Sequence, residues 1–133
     1  ETAYGIRDKM TVFGTDYDTR DGSCVRDYIH VMDLARAHTL SLKFLLEGKT
    51  TNPVEVFNVG TGNGVTVLEA ISAFEKSTGV KLNYTIGDRR PGDVVAVYAD
   101  NKKAQNILGW NPGRSINEIL KTAWTWEQNR RSK

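Results

Sequence analysis

Two arginines, each with an aspartate close behind it, are the residues of this chain whose chemistry is most informative. Arg26 is followed directly by Asp27, and Arg90 is followed three positions later by Asp93. A planar guanidinium group donates paired hydrogen bonds to phosphate oxygens, so two arginines suit a diphosphate. A carboxylate such as Asp93 can accept hydrogen bonds from the vicinal hydroxyls of a ribose. Arg-Asp pairs are also common as structural ion pairs, and the spacing alone leaves both interpretations open.

The stretch from Gly14 to Ala35 is the part of the sequence with the densest charged residues. It bends at Gly14 and Gly22 and then enters an apolar segment that begins at Val25. This arrangement predicts a ligand-facing loop anchored on rigid structure.

The cluster Gly60-x-Gly62-x-Gly64 lies between a predicted strand and a predicted helix. The dinucleotide-binding fingerprint is G-x-G-x-x-G, and residue 65 here is valine. We therefore predict a strand-to-helix turn that needs positive φ angles, and no cofactor-binding residue in this chain. A second interpretation is a loop over which a nucleotide lies, with backbone N–H groups near Thr66 helping to hold a polar ligand.

The cysteine, histidine and serine residues of this sequence give little support to metal-dependent or nucleophilic catalysis. Cys24 is the only cysteine, which excludes an internal disulfide and a cysteine-based metal site. His30 and His38 have no metal ligand at a convincing spacing, and no serine has a partnered base. We predict no metal ligand and no catalytic residue.

Composition indicates one modest domain of 133 residues with 39% hydrophobic and 26% charged residues. A net charge of +2 gives no support to a nucleic-acid partner. No apolar stretch approaches the roughly 20 residues that cross a membrane, and a cytoplasmic location fits. The chain begins at Glu1 rather than at methionine, so we expect a piece of a longer protein.

The hydrophobic pattern predicts an α/β protein with short strands at 11–13, 25–31, 54–59 and 82–86. Helices are predicted from Asp33 to about Leu46, from Thr66 to about Gly79, from Asp100 to Leu108, and after Ser115. Asp33 and Asp100 are the expected caps of two of these helices. Thr-x-x-Glu and Ser-x-x-Glu patterns, at Thr66 and Ser115, predict capping boxes for the other two.

The chain resembles the UDP-galactose (UDP-glucose) 4-epimerases, members of the extended short-chain dehydrogenase/reductase class, from about Gly5 to Gln128. The motifs that carry this resemblance are Thr11-Val-Phe-Gly-x-Asp-Tyr, Asp21-Gly-x-x-Val-Arg-Asp-Tyr-Ile-His-Val-x-Asp-Leu-Ala35, Phe57-Asn-Val-Gly-x-Gly62, Arg89-Arg-x-Gly-Asp93 and Leu108-Gly-Trp110. The second motif is specific within the class, because related dehydratases and decarboxylases usually lack the long Asp-Tyr…Asp-Gly insertion.

The resemblance implies a C-terminal substrate-binding lobe with the last strand and helices of a Rossmann domain. The chain, residues 1–133, would be a single substrate-binding region without the N-terminal NAD-binding part. Its segment of about 33–59 would pack on the missing Rossmann domain.

The resemblance also assigns roles to polar residues of the nucleotide site. It implies that Arg26 and Arg90 hold the UDP phosphates and that Asp93 accepts from the ribose. Tyr28 is expected to pack or hydrogen-bond near the nucleotide.

Four further residues match substrate-contacting positions of the family. Thr11, Phe13 and Val67 correspond to the lining of the uridine pocket, and Val97 to the position beside the sugar's C2 substituent. Because valine is fairly small, we expect the intact enzyme to accept the N-acetyl sugars as well.

Enzymes of this family bind NAD, oxidise C4 of the sugar and return the hydride to its other face. Their glycine-rich NAD loop and catalytic Tyr-x-x-x-Lys belong to the N-terminal part, and this chain has neither. Tyr98-x-x-x-Lys102 has the right spacing, but it follows Arg90 in the substrate lobe and is interpreted as coincidence. NAD is thus expected to bind mainly outside this chain, and the fragment alone is expected to be inactive.

The sequence thus predicts the C-terminal, UDP-sugar-binding part of an NAD-dependent UDP-glucose 4-epimerase that interconverts UDP-glucose and UDP-galactose. We expect a homodimer for the intact protein and a swapped or associated form for the fragment, with no nucleic acid and no membrane as partners. Two alternatives are a non-catalytic nucleotide-sugar binding module and another sugar-nucleotide enzyme of the same class, such as a dehydratase.

Overall fold

Helices and short strands alternate along the chain in a computed structural model that describes residues 1–50 and 52–132. The elements are β1 (Met10–Phe13), β2 (Val25–Arg26), α1 (Val31–Leu46), β3 (Val65–Thr66), α2 (Val67–Thr78), β4 (Tyr84–Gly87), α3 (Lys102–Leu108) and α4 (Ile116–Arg131). This mixture confirms the predicted α/β class.

Two small sheets lie in the described part of the chain. β1 pairs in parallel with β4, and Phe13 lies opposite Gly87. β2 pairs antiparallel with β3, and Arg26 lies opposite Val65. Successive side chains of a strand point to opposite faces, so Val12 points into the core, with 1% of its surface exposed, while Thr11 and Phe13 share the other face.

The core of the helical layer lies between α1 and α3. Ala37, Ala104, Leu108 and Trp110 form a buried cluster, and the indole Nε1 of Trp110 donates to the backbone oxygen of Asp33 over 2.8 Å. A second apolar contact joins α2 to α4 through the edge-to-face rings of Phe74 and Trp124, whose centroids are 5.9 Å apart. These contacts fix the helices that flank the short strands.

The prediction that Asp33 caps α1 is wrong. The helix begins at Val31, and its N-cap is His30, whose Nδ1 accepts from the backbone N–H of Met32 over 3.0 Å. Asp33 is inside the first turn and is 2% exposed. Its carboxylate is instead satisfied by the Arg114 guanidinium and by the backbone N–H groups of Gly113 and Arg114, which tie α1 to the chain before α4.

Two predicted strands differ from the structure. The strand predicted at 25–31 is limited to β2, because the chain turns after Arg26 and enters α1 at Val31. The segment 54–59 forms no strand in the described part of the chain, although it is apolar. Val54 and Val56 are 75% and 69% exposed, and neither of the two described sheets includes this segment. An apolar segment needs a neighbouring strand with which its backbone can pair before it forms a strand.

The capping boxes are confirmed at both predicted sites, Thr66 with Glu69 and Ser115 with Glu118. α2 also ends as predicted, at Gly79. The predicted cap of α3 is shifted by one residue, to Asn101, which makes no side-chain cap bond. The carboxylate of Asp100 accepts from the Lys102 backbone N–H over 3.1 Å instead. Among the described residues, no helix combines the length and apolar character needed to cross a membrane.

The capping residue Glu69 predicts a measurable pH dependence of stability. A hydrogen-bonded Arg20 guanidinium, helped by the Thr66 backbone N–H, lowers the pKa of Glu69 from its ordinary 4.5 to about 2. A lowered pKa stabilises the folded state above the unfolded pKa, and this contribution is lost as pH falls from about 4.5 through about 2. Glu69→Gln keeps an acceptor for the capping box but loses the charge.

We therefore expect the free energy of unfolding, measured in urea, to fall less steeply for Glu69→Gln than for the wild type over this pH range. Arg20→Ala removes the other partner and serves as the matched variant, which should flatten the curve in the same way. Parallel curves for all three proteins would contradict this account.

Candidate functional site

The two arginines singled out in the sequence meet at one carboxylate. Arg90 faces Asp93 with both ends of its guanidinium fork, Nε to Oδ2 at 3.0 Å and Nη2 to Oδ1 at 3.1 Å. Arg26 approaches the same carboxylate, with its Nη2 3.6 Å from Oδ1. The Asp93 side chain is only 16% exposed, whereas that of Arg90 is 57% exposed. The geometry thus presents two cations side by side, and one of them is largely open to solvent.

Separate elements position these two arginines. Arg26 ends β2, and its Nη1 donates to the backbone oxygens of Val25 and Val94, at 2.7 and 2.9 Å. Arg90 follows β4 in a turn that is closed by a 3.2 Å hydrogen bond from the Asp93 backbone N–H to the Arg90 backbone oxygen. The pKa of Arg90 is raised by its hydrogen bonds to Asp93, so this group stays positively charged.

Phe13 lies next to this cluster, and Thr11 shares the open face of β1 with it. The guanidinium carbon of Arg90 lies over the Phe13 ring, 4.6 Å from its centroid. Phe13 is 38% exposed. Both β1 residues line a cleft of about 790 Å³, whose other walls include Phe74 and Trp124. Phe13 is thus joined to the shared Asp93 carboxylate through Arg90, and Thr11 lies two residues before Phe13 on the same face of β1.

Val97 lies beside β2, the strand that ends at Arg26. Its backbone N–H donates to the Val25 oxygen over 3.1 Å, so it is held directly beside β2. Arg26 and Val97 line a second cleft, of about 540 Å³, together with Asp27, Tyr98 and residues 57–60. Thr11 and Phe13 thus line one cleft, and Arg26 and Val97 line the other.

Tyr28 and Val67 are less closely joined to the cluster. Tyr28 is half-buried, and burial raises its pKa while the positive charge of Arg26 acts in the opposite direction. Val67 is the first residue of α2, and its backbone N–H donates to the Cys24 oxygen over 3.0 Å. None of the described contacts connects either side chain to Asp93.

Asp27, which sequence reasoning associated with Arg26, has a different role. Its carboxylate accepts four hydrogen bonds, from the backbone N–H groups of Thr61, Gly62 and Ala99 and from the Thr61 hydroxyl. Burial acts to raise the pKa of Asp27, but these hydrogen bonds outweigh it and hold the pKa below its ordinary value. The residue joins the end of β2 to the glycine loop and to the segment that carries Val97.

The glycine cluster is only partly the turn that we predicted. Gly62 has a positive φ of 72°, as expected. Gly60 does not, and it is needed for space, because a side chain there would collide with the Asp27 carboxylate and come within 2.8 Å of the Ala99 Cβ. This loop is occupied by internal contacts and offers no open phosphate cradle.

The charged loop between Gly14 and Cys24 also bonds mainly within the protein. Asp21 accepts from the backbone N–H and hydroxyl of Ser23 and from the Thr66 hydroxyl. Arg20 pairs with Glu69 through two nitrogens. These contacts anchor the loop to the start of α2, and the polar groups that the sequence predicts to face a ligand are largely used for that anchoring.

Sequence reasoning missed Arg89, which pairs with Asp16 and lies over the Tyr17 ring. The Arg89-Arg-x-Gly-Asp93 motif shows that two arginines are adjacent, but the motif alone does not say which of them makes contacts within the protein and which is open to a ligand. No group of three or more metal-ligating side chains occurs among residues 1–50 and 52–132.

A family model described as GDP-mannose 4,6 dehydratase matches residues 1–123 of the chain. UDP-glucose 4-epimerase 2 of Arabidopsis thaliana is 48% identical over 129 residues, which are 97% of this chain and 36% of that protein. UDP-glucose 4-epimerase of Rhizobium meliloti is 46% identical and covers 98% of this chain and 39% of its own length. The chain spans less than two fifths of the length of these relatives.

Solved structures give the same result. UDP-glucose 4-epimerase from Stenotrophomonas maltophila, with NAD and formylated UDP-arabinopyranose bound, has a TM-score of 0.91 at 41% identity and covers 97% of this chain and 38% of its own. The enzyme from Bifidobacterium longum, with NAD+ and UDP, has a TM-score of 0.88 at 42% identity, over 96% and 37%. A UDP-Glc/GlcNAc 4-epimerase from Campylobacter jejuni has a TM-score of 0.85 at 42% identity, over 97% and 38%. The predicted resemblance is confirmed, and the fold is that of an α/β portion of these enzymes, consistent with their C-terminal part.

The four hydrogen bonds at Asp27 predict a large cost for its removal. Asp27→Ala leaves three backbone N–H groups without their acceptor, and we expect it to lower the free energy of unfolding by about 2 kcal/mol or more. Asp100→Ala removes one exposed hydrogen bond, to the Lys102 backbone N–H, and should cost about 1 kcal/mol or less. Urea denaturation of both variants checks this, and equal costs for the two would contradict the role given to Asp27.

Proposed function

We propose, since the chain belongs to the family whose model is described as GDP-mannose 4,6 dehydratase, that it is the UDP-sugar-binding part of an NAD-dependent UDP-glucose 4-epimerase. The observation that carries this proposal is the meeting of Arg26 and Arg90 at Asp93. The names of the relatives favour an epimerase over the dehydratase alternative.

The proposed role of the arginine pair is to bind the UDP diphosphate. Each guanidinium group can donate paired hydrogen bonds to phosphate oxygens. Asp93 holds the two cations close to each other before the nucleotide arrives, so less free energy is spent on ordering them during binding. As the nucleotide binds, phosphate oxygens take over part of this pairing, and Asp93 becomes available to the ribose hydroxyls.

The uridine and the sugar, which lie at opposite ends of the diphosphate, are assigned to different parts of the site. We assign the uridine to the side of Thr11 and Phe13, where an exposed aromatic ring is already present beside Arg90. On the basis of the family resemblance, Val67 is also assigned to the uridine pocket, and Tyr28 is proposed to lie near the nucleotide. The sugar is assigned to the cleft that Arg26 shares with Val97.

Val97 is proposed to leave room for an N-acetyl group on the sugar. A relative whose name includes both UDP-Glc and UDP-GlcNAc, from Campylobacter jejuni, supports this breadth for the family. The cleft beside Val97 is open, and the side chain is 52% exposed.

We propose no NAD site within this chain. The glycine loop that could have cradled a dinucleotide is packed against Asp27 and Ala99. In the whole protein, NAD would accept the hydride from the sugar and return it, and the residues described here would bind and orient the UDP-sugar.

The segment of about 33–59 is proposed to pack on the remainder of the full-length protein. Leu42, Leu45 and Leu46 of α1 are 57%, 58% and 80% exposed, and Val54 and Val56 continue this apolar surface. The matched relatives are more than twice as long as this chain, so such a protein has enough further chain to cover this surface, and we propose that a Rossmann domain covers it. We propose a homodimer for the intact protein and self-association of this surface for the isolated chain.

Calorimetric titration of the chain with UDP tests the arginine pair. We expect Arg26→Ala and Arg90→Ala each to weaken UDP binding about 10- to 100-fold, since a hydrogen bond to a charged group contributes about 1.5–3 kcal/mol. Uridine lacks the diphosphate, so its affinity should not change in either variant. Arg36→Ala, which removes an exposed arginine of α1 that lines neither cleft, is the matched control.

The same titration with UDP-glucose and UDP-GlcNAc tests the sugar cleft. Val97→Tyr should weaken the binding of UDP-GlcNAc more than that of UDP-glucose.

UDP affinities that are unchanged in both arginine variants, or a wild type that does not bind UDP, would contradict the proposed function.

Sedimentation of the isolated chain tests the proposed docking surface. We expect self-association that increases with protein concentration, because the apolar surface of α1 and 54–59 is uncovered. The double variant Leu46→Glu, Val56→Glu should shift the protein towards the monomer. Trp126→Glu places the same charge on an exposed apolar residue of α4 and should not. A wild type that stays a compact monomer at high concentration would contradict the assignment.

A further inference from the structure

We propose that Asp16, Tyr17 and Arg89 form a clamp that sets the position of Arg90 in the nucleotide site, and this inference rests on the function proposed for that site. Arg89 and Arg90 are adjacent in sequence, yet their side chains make separate contacts. Arg89 is then a positioning residue and Arg90 a ligand-binding one.

The contacts of Arg89 are all made to the loop that follows β1. Its Nε donates to the Asp16 carboxylate over 2.8 Å, and its Nη2 donates to the Asp16 backbone oxygen. Its guanidinium carbon lies 4.1 Å from the centroid of the Tyr17 ring. These bonds engage two of the five N–H donors of the guanidinium and the ring covers one of its faces, so the Arg89 side chain is held against this loop.

The loop is firm enough to serve as an anchor. Its ends are joined by a 3.0 Å hydrogen bond from the Tyr17 backbone N–H to the Gly22 oxygen. Gly22 has a φ of 81°, and a side chain there would collide with the Thr15 backbone, so the loop closes tightly on itself. The Gly14 backbone N–H donates to the Gly87 oxygen over 2.9 Å, which continues the pairing of β1 with β4.

The two arginines thus lie on two aromatic rings of one continuous segment. Arg90 lies over Phe13, the last residue of β1, and Arg89 over Tyr17, four residues later. The backbone between Arg89 and Arg90 is therefore held from both sides. If the contacts of Arg89 with Asp16 and Tyr17 were lost, the turn from Arg90 to Asp93 would be held to the β1 segment only through the contact of Arg90 with Phe13.

The ring of Tyr17, rather than its hydroxyl group, is the part that the clamp uses. Tyr17 is 5% exposed, and its hydroxyl has no hydrogen-bond partner in the described structure. A phenylalanine would keep the face on which Arg89 lies and would remove an unsatisfied polar group. Tyr17→Phe is therefore the conservative variant that should retain the clamp, and Tyr17→Leu the variant that should lose it.

Hydrogen exchange and UDP titration of the chain together test the clamp. We expect Arg89→Ala and Tyr17→Leu to speed amide exchange in 87–93 without nucleotide and to weaken UDP binding about 3- to 10-fold. Tyr17→Phe and the control Arg36→Ala should stay within about twofold of the wild type in both measurements. The free energy of unfolding is measured in parallel, so that a loss confined to 87–93 is distinguished from general destabilisation.

The outcomes separate this inference from the proposed function. If Arg26→Ala weakens UDP binding but Arg89→Ala and Tyr17→Leu leave both measurements unchanged, the clamp is wrong and the nucleotide site stands. If Tyr17→Phe is as damaging as Tyr17→Leu, the ring contact is not the cause and the clamp is also overturned. If the wild type does not bind UDP, the proposed function fails and the clamp as a feature of that site fails with it, whereas faster exchange in 87–93 would still support the contact itself.

Discussion

One carboxylate, that of Asp27, holds together the three chain segments on which the site is built. Its four hydrogen bonds join the end of β2 to the loop at Thr61 and Gly62 and to Ala99. β2 and β3 are only two residues long, so sheet pairing alone would hold this region weakly. Asp27 therefore supplies by side-chain bonding what a longer sheet would supply through its backbone, and Arg26 is positioned as a consequence.

The grouping of Arg26 and Arg90 has a cost that Asp93 offsets. Two like charges that are held close together repel each other, and solvent around the exposed Arg90 weakens this repulsion only in part. A carboxylate between them lowers this cost and also fixes their orientation through the fork of Arg90. An anionic residue beside an anion-binding site is therefore reasonable, since it keeps the cations together while the site is empty.

Local signals in the sequence predicted the local features well. The capping boxes at Thr66 and Ser115 depend on residues three apart, and both are present. Asp33 has the residue type of a cap as well, but its partner Arg114 is 81 positions away, and no local rule reveals such a contact. The segment 54–59 reads as a strand because of its composition, while strand formation also needs a neighbour, which the described part of the chain does not provide.

For the candidate site too, the sequence indicated the residues but not their long-range contacts. The family resemblance selected Arg26, Arg90 and Asp93, which the structure brings together, although the spacing of Arg-Asp pairs left their role open. The contacts of Asp27 and Arg89 were not predictable, because each depends on how distant loops pack.

The most direct test of the account is a crystal structure of the chain with UDP bound. We predict that the diphosphate oxygens lie within hydrogen-bond distance of both Arg26 and Arg90, with Asp93 facing the ribose. An ordered UDP whose diphosphate contacts neither arginine, for example one held elsewhere in the cleft beside Trp124, would contradict it.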